Sequence, residues 1–471
     1  MGGAHYDLIV IGSGPAGEKG AAQAAYFGKK VAIVEKAASF GGAATNTGTL
    51  PSKTLRESAL YLSGFEKRGL FGINLEVKDR VTARDFFYRE HEVVHSENLR
   101  IIANIDHHKI DVYHGAGSFV APYTVAVAGH DGETTVLTAD KFLIATGTYP
   151  AHPPNIPFDD PRVFDSDTIL DLHTMPETML VIGGGVIGCE YACMFAALGI
   201  KVSLVDGRDT LLGFMDAEVS GALKRAMEKL GITLIMPEVV DTIEPGDTIN
   251  VTFKSGRSCT VDIVLAATGR NGATTGMALD GIGIAPDSRG LLKVNEFYQT
   301  AIPHIYAAGD VIGFPALAST SMEQARIAMS HAFDLKFKDR LASILPYGIY
   351  TIPECSMAGE TEDSLTKANV PYVAGRAYYA TNARGEIIGD RDGFLKLLFR
   401  EDDMKLVGVH IIGEQASELV HIGLTALLSG AGADLFISTC YNYPTLSEIY
   451  KYATYNALQA KQRHATAALP A

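Results

Sequence analysis

The chain has 471 residues, which at roughly 150 per domain points to about three domains. Hydrophobic residues make up 47%, so sizeable cores are possible and wholesale disorder is excluded. Lys plus Arg total 40 against 54 Asp plus Glu, a net charge of −14 with no basic block, which argues against nucleic acid as the main partner.

The first apolar run, Leu8 to Ile11, is too short for a signal peptide and lacks a basic leader. It instead opens a βαβ pattern: a β-run from Asp7, a glycine turn at Gly12, Gly14 and Gly17, an alanine-rich helical stretch, a second β-run, and Glu35. The same pattern returns from Thr178, where Gly183, Gly185, Gly188 and Asp206 occupy the matching positions. In such a unit the first glycine allows a tight turn, the second lets the backbone approach a pyrophosphate, and the third lets helix and strand pack closely. The helix N-terminus offers its N–H groups to phosphate, and the acidic residue accepts hydrogen bonds from a ribose diol. One glycine fingerprint is weak evidence. Two in the same strand–helix context predict two bound dinucleotides.

Phe142 to Gly147 (FLIATG) and Ile263 to Gly269 (IVLAATG) are apolar strands that each end in Ala-Thr-Gly. The proline-rich stretch Pro150 to Pro161 reads as a linker. Residues 151–270 are predicted to form the second nucleotide domain, inserted into a first domain made of 1–150 and 271–340. A short strand before Gly309-Asp310 would complete that first domain, its carboxylate facing ribityl or ribose hydroxyls. Residues 341–471 carry no glycine fingerprint. Their β-runs at Tyr372–Tyr379, Phe394–Phe399 and Lys405–Ile412, with helices near Glu414–Leu428 and Thr445–Leu458, predict an α+β domain. His464 to Ala471 reads as a frayed tail. The fold class is therefore α/β, with two Rossmann-like dinucleotide-binding domains and a C-terminal α+β domain.

No apolar run approaches the roughly 18 residues of a membrane helix. The five cysteines, Cys189, Cys193, Cys259, Cys355 and Cys440, lack framework spacing. A reducing compartment, the cytoplasm, is expected. Cys189 and Cys193 share a helix face with no histidine pattern nearby, so core packing is expected there and no metal site.

These features together resemble the flavoprotein pyridine nucleotide–disulfide oxidoreductases over essentially the whole chain. The resemblance implies FAD in the first unit, NAD or NADP in the second, and a homodimer made by the last domain, whose GVHIIGEQASE stretch (Gly408 to Glu418) is similar to that family's interface signature. It also implies that Ser13, Pro15, Ala16, Lys36, Gly41, Gly42, Ala44, Thr49, Gly117, Thr146, Gly147, Val186, Ile187, Thr268, Gly269 and Ala318 lie along the two cofactors. The family's redox disulfide belongs at positions 44 and 49 of GGAATNTGTLPSK, where Ala44 and Thr49 stand. Neither forms a thiolate. The histidine base expected near the C-terminus is replaced by Tyr443, followed by Glu448, and a tyrosine of ordinary pKa, about 10, is a poor base at neutral pH. Within the family, soluble pyridine nucleotide transhydrogenases resemble the chain at Gly48–Lys53, Ala316–Gln324, Gly348–Glu354 and Tyr441–Thr445, although they usually keep the first cysteine.

The resemblance implies the reaction NADPH + NAD+ ⇌ NADP+ + NADH, with one nicotinamide site used twice. Lys53 is expected near the flavin and paired with Glu190, and Tyr443 and Glu448 to face the flavin of the other subunit. Val186, where some relatives place a tyrosine lid, leaves the pocket less gated or is an ordinary packing residue. Asp206 favours a free 2′-hydroxyl, while Arg208 either pairs with a 2′-phosphate or is a surface residue. A diaphorase or quinone reductase on the same fold, or a flavin-binding redox sensor without turnover, are the alternative readings.

Overall fold

The computed structural model describes residues 4–67 and 81–467. Both glycine units fold as βαβ. Strand His5–Ile11 lies parallel to Val31–Glu35 across helix Pro15–Tyr26, and Thr178–Ile182 lies parallel to Lys201–Val205 across helix Val186–Ala197. Leu8, Ile9, Val10, Leu180 and Val181 are fully buried, as expected for parallel strands covered on both faces.

The first sheet runs in the order Asp111–His114, Val31–Glu35, His5–Ile11, Thr134–Ile144, Thr124–Ala128, Ala116–Ala121. The long strand Thr134–Ile144 serves two partners along one edge. Its first half pairs antiparallel with Thr124–Ala128, and its last residues pair parallel with Ile305–Ala307. The chain therefore leaves this sheet after Ile144 and rejoins it at Ile305. The two crossings, Thr148–Pro150 and Arg270–Gly272, pair antiparallel as a ribbon. Arg270 braces it, donating from Nε to Thr148 Oγ1 at 3.0 Å and from Nη1 to Asp167 at 2.9 Å.

The second sheet is parallel, ordered Thr233–Ile235, Lys201–Val205, Thr178–Ile182, Ile263–Ala266, Val163–Asp165. Beside it, Val240–Pro245, Ile249–Phe253 and Ser258–Val261 form an antiparallel meander that the sequence reading did not separate from the domain. Cys189 and Cys193 are buried on helix Val186–Ala197 in the core it shares with Leu55, Phe86 and Cys355, as the packing reading expected. Burial pushes the Cys189 thiol well up, so it is a poor nucleophile.

The C-terminal domain is an antiparallel sheet in the order Tyr347–Ile349, Cys355–Gly359, Leu406–Ile412, Phe394–Arg400, Tyr372–Tyr378. Helices Ala416–Leu428 and Ile449–Ala467 pack on it, with Tyr450 fully buried and donating to the Leu419 carbonyl at 2.7 Å. Helix Ile449–Ala467 runs past His464, where a frayed tail was expected; residues 468–471 of that reading lie outside the described residues.

This domain grips the second one through a buried charge cluster. Lys396 is fully buried and reaches Asp216 at 2.8 Å, Glu362 at 3.0 Å and Glu218 at 3.2 Å. Asp216 is itself the N-cap of helix Ala217–Lys229. A buried ammonium is tolerated only when paired this way.

Candidate functional site

Backbone crowding builds the first cradle. Gly12 has φ +101°, and a Cβ there would stand 2.4 Å from the Ala145 carbonyl oxygen; one on Gly17 would stand 1.9 Å from the Gly12 oxygen. The helix that follows begins with Gly14 as N-cap and Pro15 in its first turn, with no side-chain cap, so its leading amides face outward. Gly42 passes close over Gly14, where a Cβ would lie 3.0 Å from the Gly14 Cα. The Gly41 N–H donates to the Ser13 hydroxyl at 3.3 Å.

Glu35 ends the second strand as a buried carboxylate. It accepts from the Ser13 N–H at 2.8 Å, the Ser13 hydroxyl at 2.7 Å and the Ala37 N–H at 2.8 Å. A carboxylate has about four acceptor positions, so capacity for a hydroxyl remains. Lys36 next to it is exposed. Ala16 packs against Gly309, and Gly117 lies over Val34 and Ile11. Thr146 carries a buried hydroxyl without a hydrogen-bond partner, followed by Gly147 at φ +68°. Asp310 opens a short 3₁₀ turn capped by Gly309. Burial pushes its carboxyl up, against the opposing pull of Arg270 and Ser321. Ala318 begins helix Ala318–Ala332. An orphaned hydroxyl, a buried acid and a glycine cradle fit a dinucleotide with a polyhydroxyl chain.

Lys53 stands where the two nucleotide units meet. Its ammonium donates to Glu190 Oε2 at 2.6 Å and to Ser52 Oγ at 3.1 Å, and lies 4.9 Å from the centre of the Tyr350 ring. Glu190 is buried, and its other oxygen accepts the Tyr350 N–H at 2.9 Å. The pair thus joins helix Thr49–Lys67, helix Val186–Ala197 and the C-terminal domain. Ala44 lies in helix Gly42–Asn46 and Thr49 begins the next helix, across the break at Thr47-Gly48.

The second unit opens onto a cleft of about 420 Å³ lined by Gly183, Gly185, Asp206, Arg208, Thr268 and Gly269, among others. A Cβ on Gly183 would meet the Ala267 oxygen at 2.5 Å, and one on Gly188 the Gly183 oxygen at 1.8 Å. Gly188 is therefore a packing glycine under the turn. Val186 and Ile187 open the helix and pack toward the core rather than lining the cleft. Asp206 accepts the Gly184 N–H at 2.6 Å and a two-pronged contact from Arg208, Nε to Oδ1 at 2.9 Å and Nη2 to Oδ2 at 2.7 Å. Burial alone would raise the Asp206 carboxyl, but Arg208 and the surrounding amides hold it below the usual carboxylate range.

Two site residues escaped the sequence reading. Tyr350 lies inside the Gly348–Glu354 segment, but only folding brings its amide to Glu190. Glu238 lines the cleft beside Asp206, and the Ser255 side chain, the Val239 amide and Arg257 hold its carboxyl down at about 2. No motif marks it. Tyr443 is 73% exposed and Glu448 ends a 3₁₀ turn on the C-terminal domain; neither is in contact with the Lys53–Glu190 pair of its own chain, whose partners are those above.

Among the described residues no helix is long and apolar enough to cross a membrane, and no group of three or more His, Cys, Asp or Glu is arranged to hold a metal. Residues 6–332 match the model of the pyridine nucleotide-disulphide oxidoreductase family and 345–454 that of its dimerisation domain. The chain is 46% identical to a soluble pyridine nucleotide transhydrogenase of Mycobacterium bovis, over 96% of this chain and 97% of that one. It is 40% identical to the protein of that name from an Enterobacter species, over 96% and 98%. Among solved structures, LpdA of Mycobacterium tuberculosis superposes with a TM-score of 0.88 at 26% identity, covering 96% of this chain and 99% of that one. The HOCl-induced flavoprotein disulfide reductase RclA of Escherichia coli gives 0.86 at 25%, with the same coverage. With both glycine cradles in place and the likeness running end to end, the chain belongs to the pyridine nucleotide-disulphide oxidoreductase family.

Proposed function

We propose that this protein is a pyridine nucleotide transhydrogenase that moves hydride between NADPH and NAD+ by way of bound FAD. The observation that carries the reading is the pairing of an intact Lys53–Glu190 site with Ala44 and Thr49 at the positions a redox disulfide would need. The names of the similar transhydrogenases support it. FAD, when bound, supplies a ring that exchanges hydride with a nicotinamide.

The chain's own residues do the rest. Gly12, Gly14 and Gly17 let the backbone approach one pyrophosphate, while Glu35 and Asp310 accept hydroxyls of that cofactor. With FAD bound, Lys53 would supply a positive charge to it, and Glu190, held by the Tyr350 amide, keeps the ammonium in position. Around the second cleft, Asp206 accepts the ribose diol of NAD(H) and Arg208 turns to the 2′-phosphate of NADP(H). With no thiol pair to carry electrons onward, the outgoing route is a second nicotinamide in the same cleft. The exposed Tyr443 and the matched dimerisation domain support a homodimer in which Tyr443 and Glu448 shape the cofactor pocket of the opposite subunit. None of the five cysteines forms a disulfide, which supports a cytoplasmic setting.

The test mixes FAD-loaded protein with NADPH and an oxidised thio-analogue of NAD, and follows reduction of the analogue. Turnover is expected, and apoprotein should show none. Efficient reduction of a small disulfide, or a quinone turned over faster than the analogue, would overturn the reading. Arg208→Ala is expected to raise the KM for NADPH about tenfold, the loss of one charge-assisted phosphate contact. The KM for NADH should stay level or fall, because Asp206 is released for the ribose. Equal effects on the two nucleotides would count against this role for Arg208.

A further inference from the structure

We propose that Arg257, carried on Glu238, is a second cation of the 2′-phosphate site, so that the cleft reads the ribose with two acid–guanidinium pairs rather than one. This deepens the proposed function and rests on its reading of the cleft as the shared site of NAD(H) and NADP(H).

Two loops meet at one end of the cleft. Asp206, Gly207 and Arg208 follow strand Lys201–Val205, and Glu238 and Val239 follow Thr233–Ile235. The Glu238 N–H donates to the Asp206 carbonyl at 2.9 Å. A Cβ on Gly207 would lie 3.2 Å from Val239, so the loops are packed together and the two carboxylates share one rim. The pairs are built alike. The Asp206 and Glu238 side chains are 8% and 6% exposed, whereas Arg208 and Arg257 are 60% and 65% exposed.

They differ in grip. Arg208 holds Asp206 with two short bonds. Arg257 reaches Glu238 through Nη2 alone at 3.2 Å, with a 3.4 Å contact from Nε to Ser255 Oγ. It rides on the turn between Ile249–Phe253 and Ser258–Val261, where Gly256 takes φ +85°. An exposed, single-pronged ion pair is weak, and a guanidinium on phosphate makes stronger, forked bonds.

The second arginine changes the charge of the rim, but the role assigned to it is a direct bond from its guanidinium to the phosphate, beyond neutralising Glu238. With Arg208 alone, Asp206 and Glu238 leave the rim net negative, and a 2′-phosphate carrying most of two charges would be repelled. With both arginines the rim is neutral, and each guanidinium can turn from its carboxylate to the phosphate. When the nucleotide lacks that phosphate, Arg257 stays on Glu238 and Asp206 receives the diol. A site that must accept both nucleotides in alternation needs such exchangeable pairing rather than a fixed charge of either sign.

The test titrates FAD-loaded protein calorimetrically with 2′,5′-ADP and with 5′-ADP. Arg257→Ala is expected to weaken 2′,5′-ADP about tenfold while 5′-ADP binds as before, and to flatten the salt dependence of 2′,5′-ADP binding. The double variant Glu238→Gln/Arg257→Ala should remain weak. If the double variant regains wild-type affinity, Arg257 only neutralises Glu238, and the proposal is overturned. Unchanged 2′,5′-ADP binding in Arg257→Ala overturns it too, while leaving the proposed function standing. A wild-type protein that binds neither probe would instead overturn the reading of the cleft and this proposal with it.

Discussion

Lys53→Met is expected to lower the rate of hydride transfer about a hundredfold, the scale of removing one preorganised charge from a water-poor site. The ammonium sits 2.6 Å from Glu190 and over the Tyr350 ring, so its position is set from two sides before any nucleotide arrives. The loss should appear in kcat, and in the single-turnover bleaching of the flavin by NADPH, more than in KM. Removing the cation also strands a carboxylate that is 4% exposed on its side chain, which by analogy with other buried pairs costs about 3–5 kcal/mol of stability. The Lys53→Met/Glu190→Gln double variant separates the two effects. It should recover most of the lost stability, seen by denaturant unfolding, while hydride transfer stays slow. Lys53→Arg is expected to rescue poorly, since a planar fork does not reproduce a compact ammonium held among Glu190, Ser52 and a ring. A Lys53→Met protein with wild-type single-turnover rates would remove Lys53 from the site.

The second large effect comes from two matched glycines. In Gly17→Ala the new methyl carbon would stand 1.9 Å from the Gly12 oxygen, and in Gly188→Ala 1.8 Å from the Gly183 oxygen. Both contacts are with backbone, so neither is relieved by a rotamer, and the turn itself must open. Overpacking of this kind costs about 1–3 kcal/mol or more, and it spoils the amide geometry that receives a pyrophosphate. Gly17→Ala should purify without its yellow colour and bind added FAD weakly. Gly188→Ala should keep FAD but lose nucleotide affinity about tenfold or more. Absorbance at the flavin band and calorimetric titration with NADH check the two halves separately. FAD loss in Gly188→Ala with Gly17→Ala unaffected would reverse the assignment of the two units.

The Lys53–Glu190 pair shows where reading the chain succeeds and where it stops. Each partner stood out because it follows a recognisable local pattern, Pro-Ser-Lys in one case and the third glycine of a turn in the other. Their contact was expected from resemblance, and the fold places it at 2.6 Å. Tyr350 was inside a quoted segment, yet the hydrogen bond its backbone N–H donates to Glu190 has no signature, because a backbone N–H is the same for every residue type but proline. Arg208 had two open readings, phosphate partner or surface residue. The structure shows it exposed and clamped onto Asp206. His464 to Ala467 read as part of a frayed end because small and polar residues there carry no helical periodicity, yet helix Ile449–Ala467 includes them.

Local periodicity and glycine placement in the amino-acid order alone determined the two βαβ units, the return of the chain after the second unit and the α+β end domain. Those features depend on neighbours a few positions apart, where spacing translates directly into strand, turn and helix. The tertiary structure alone decided that Glu238 stands beside Asp206, that Arg257 reaches it from a distant hairpin, and that Lys396 lies buried among Asp216, Glu218 and Glu362. Such contacts join residues far apart along the chain, and which charges meet is set by how sheets and loops pack, a choice that no spacing rule encodes.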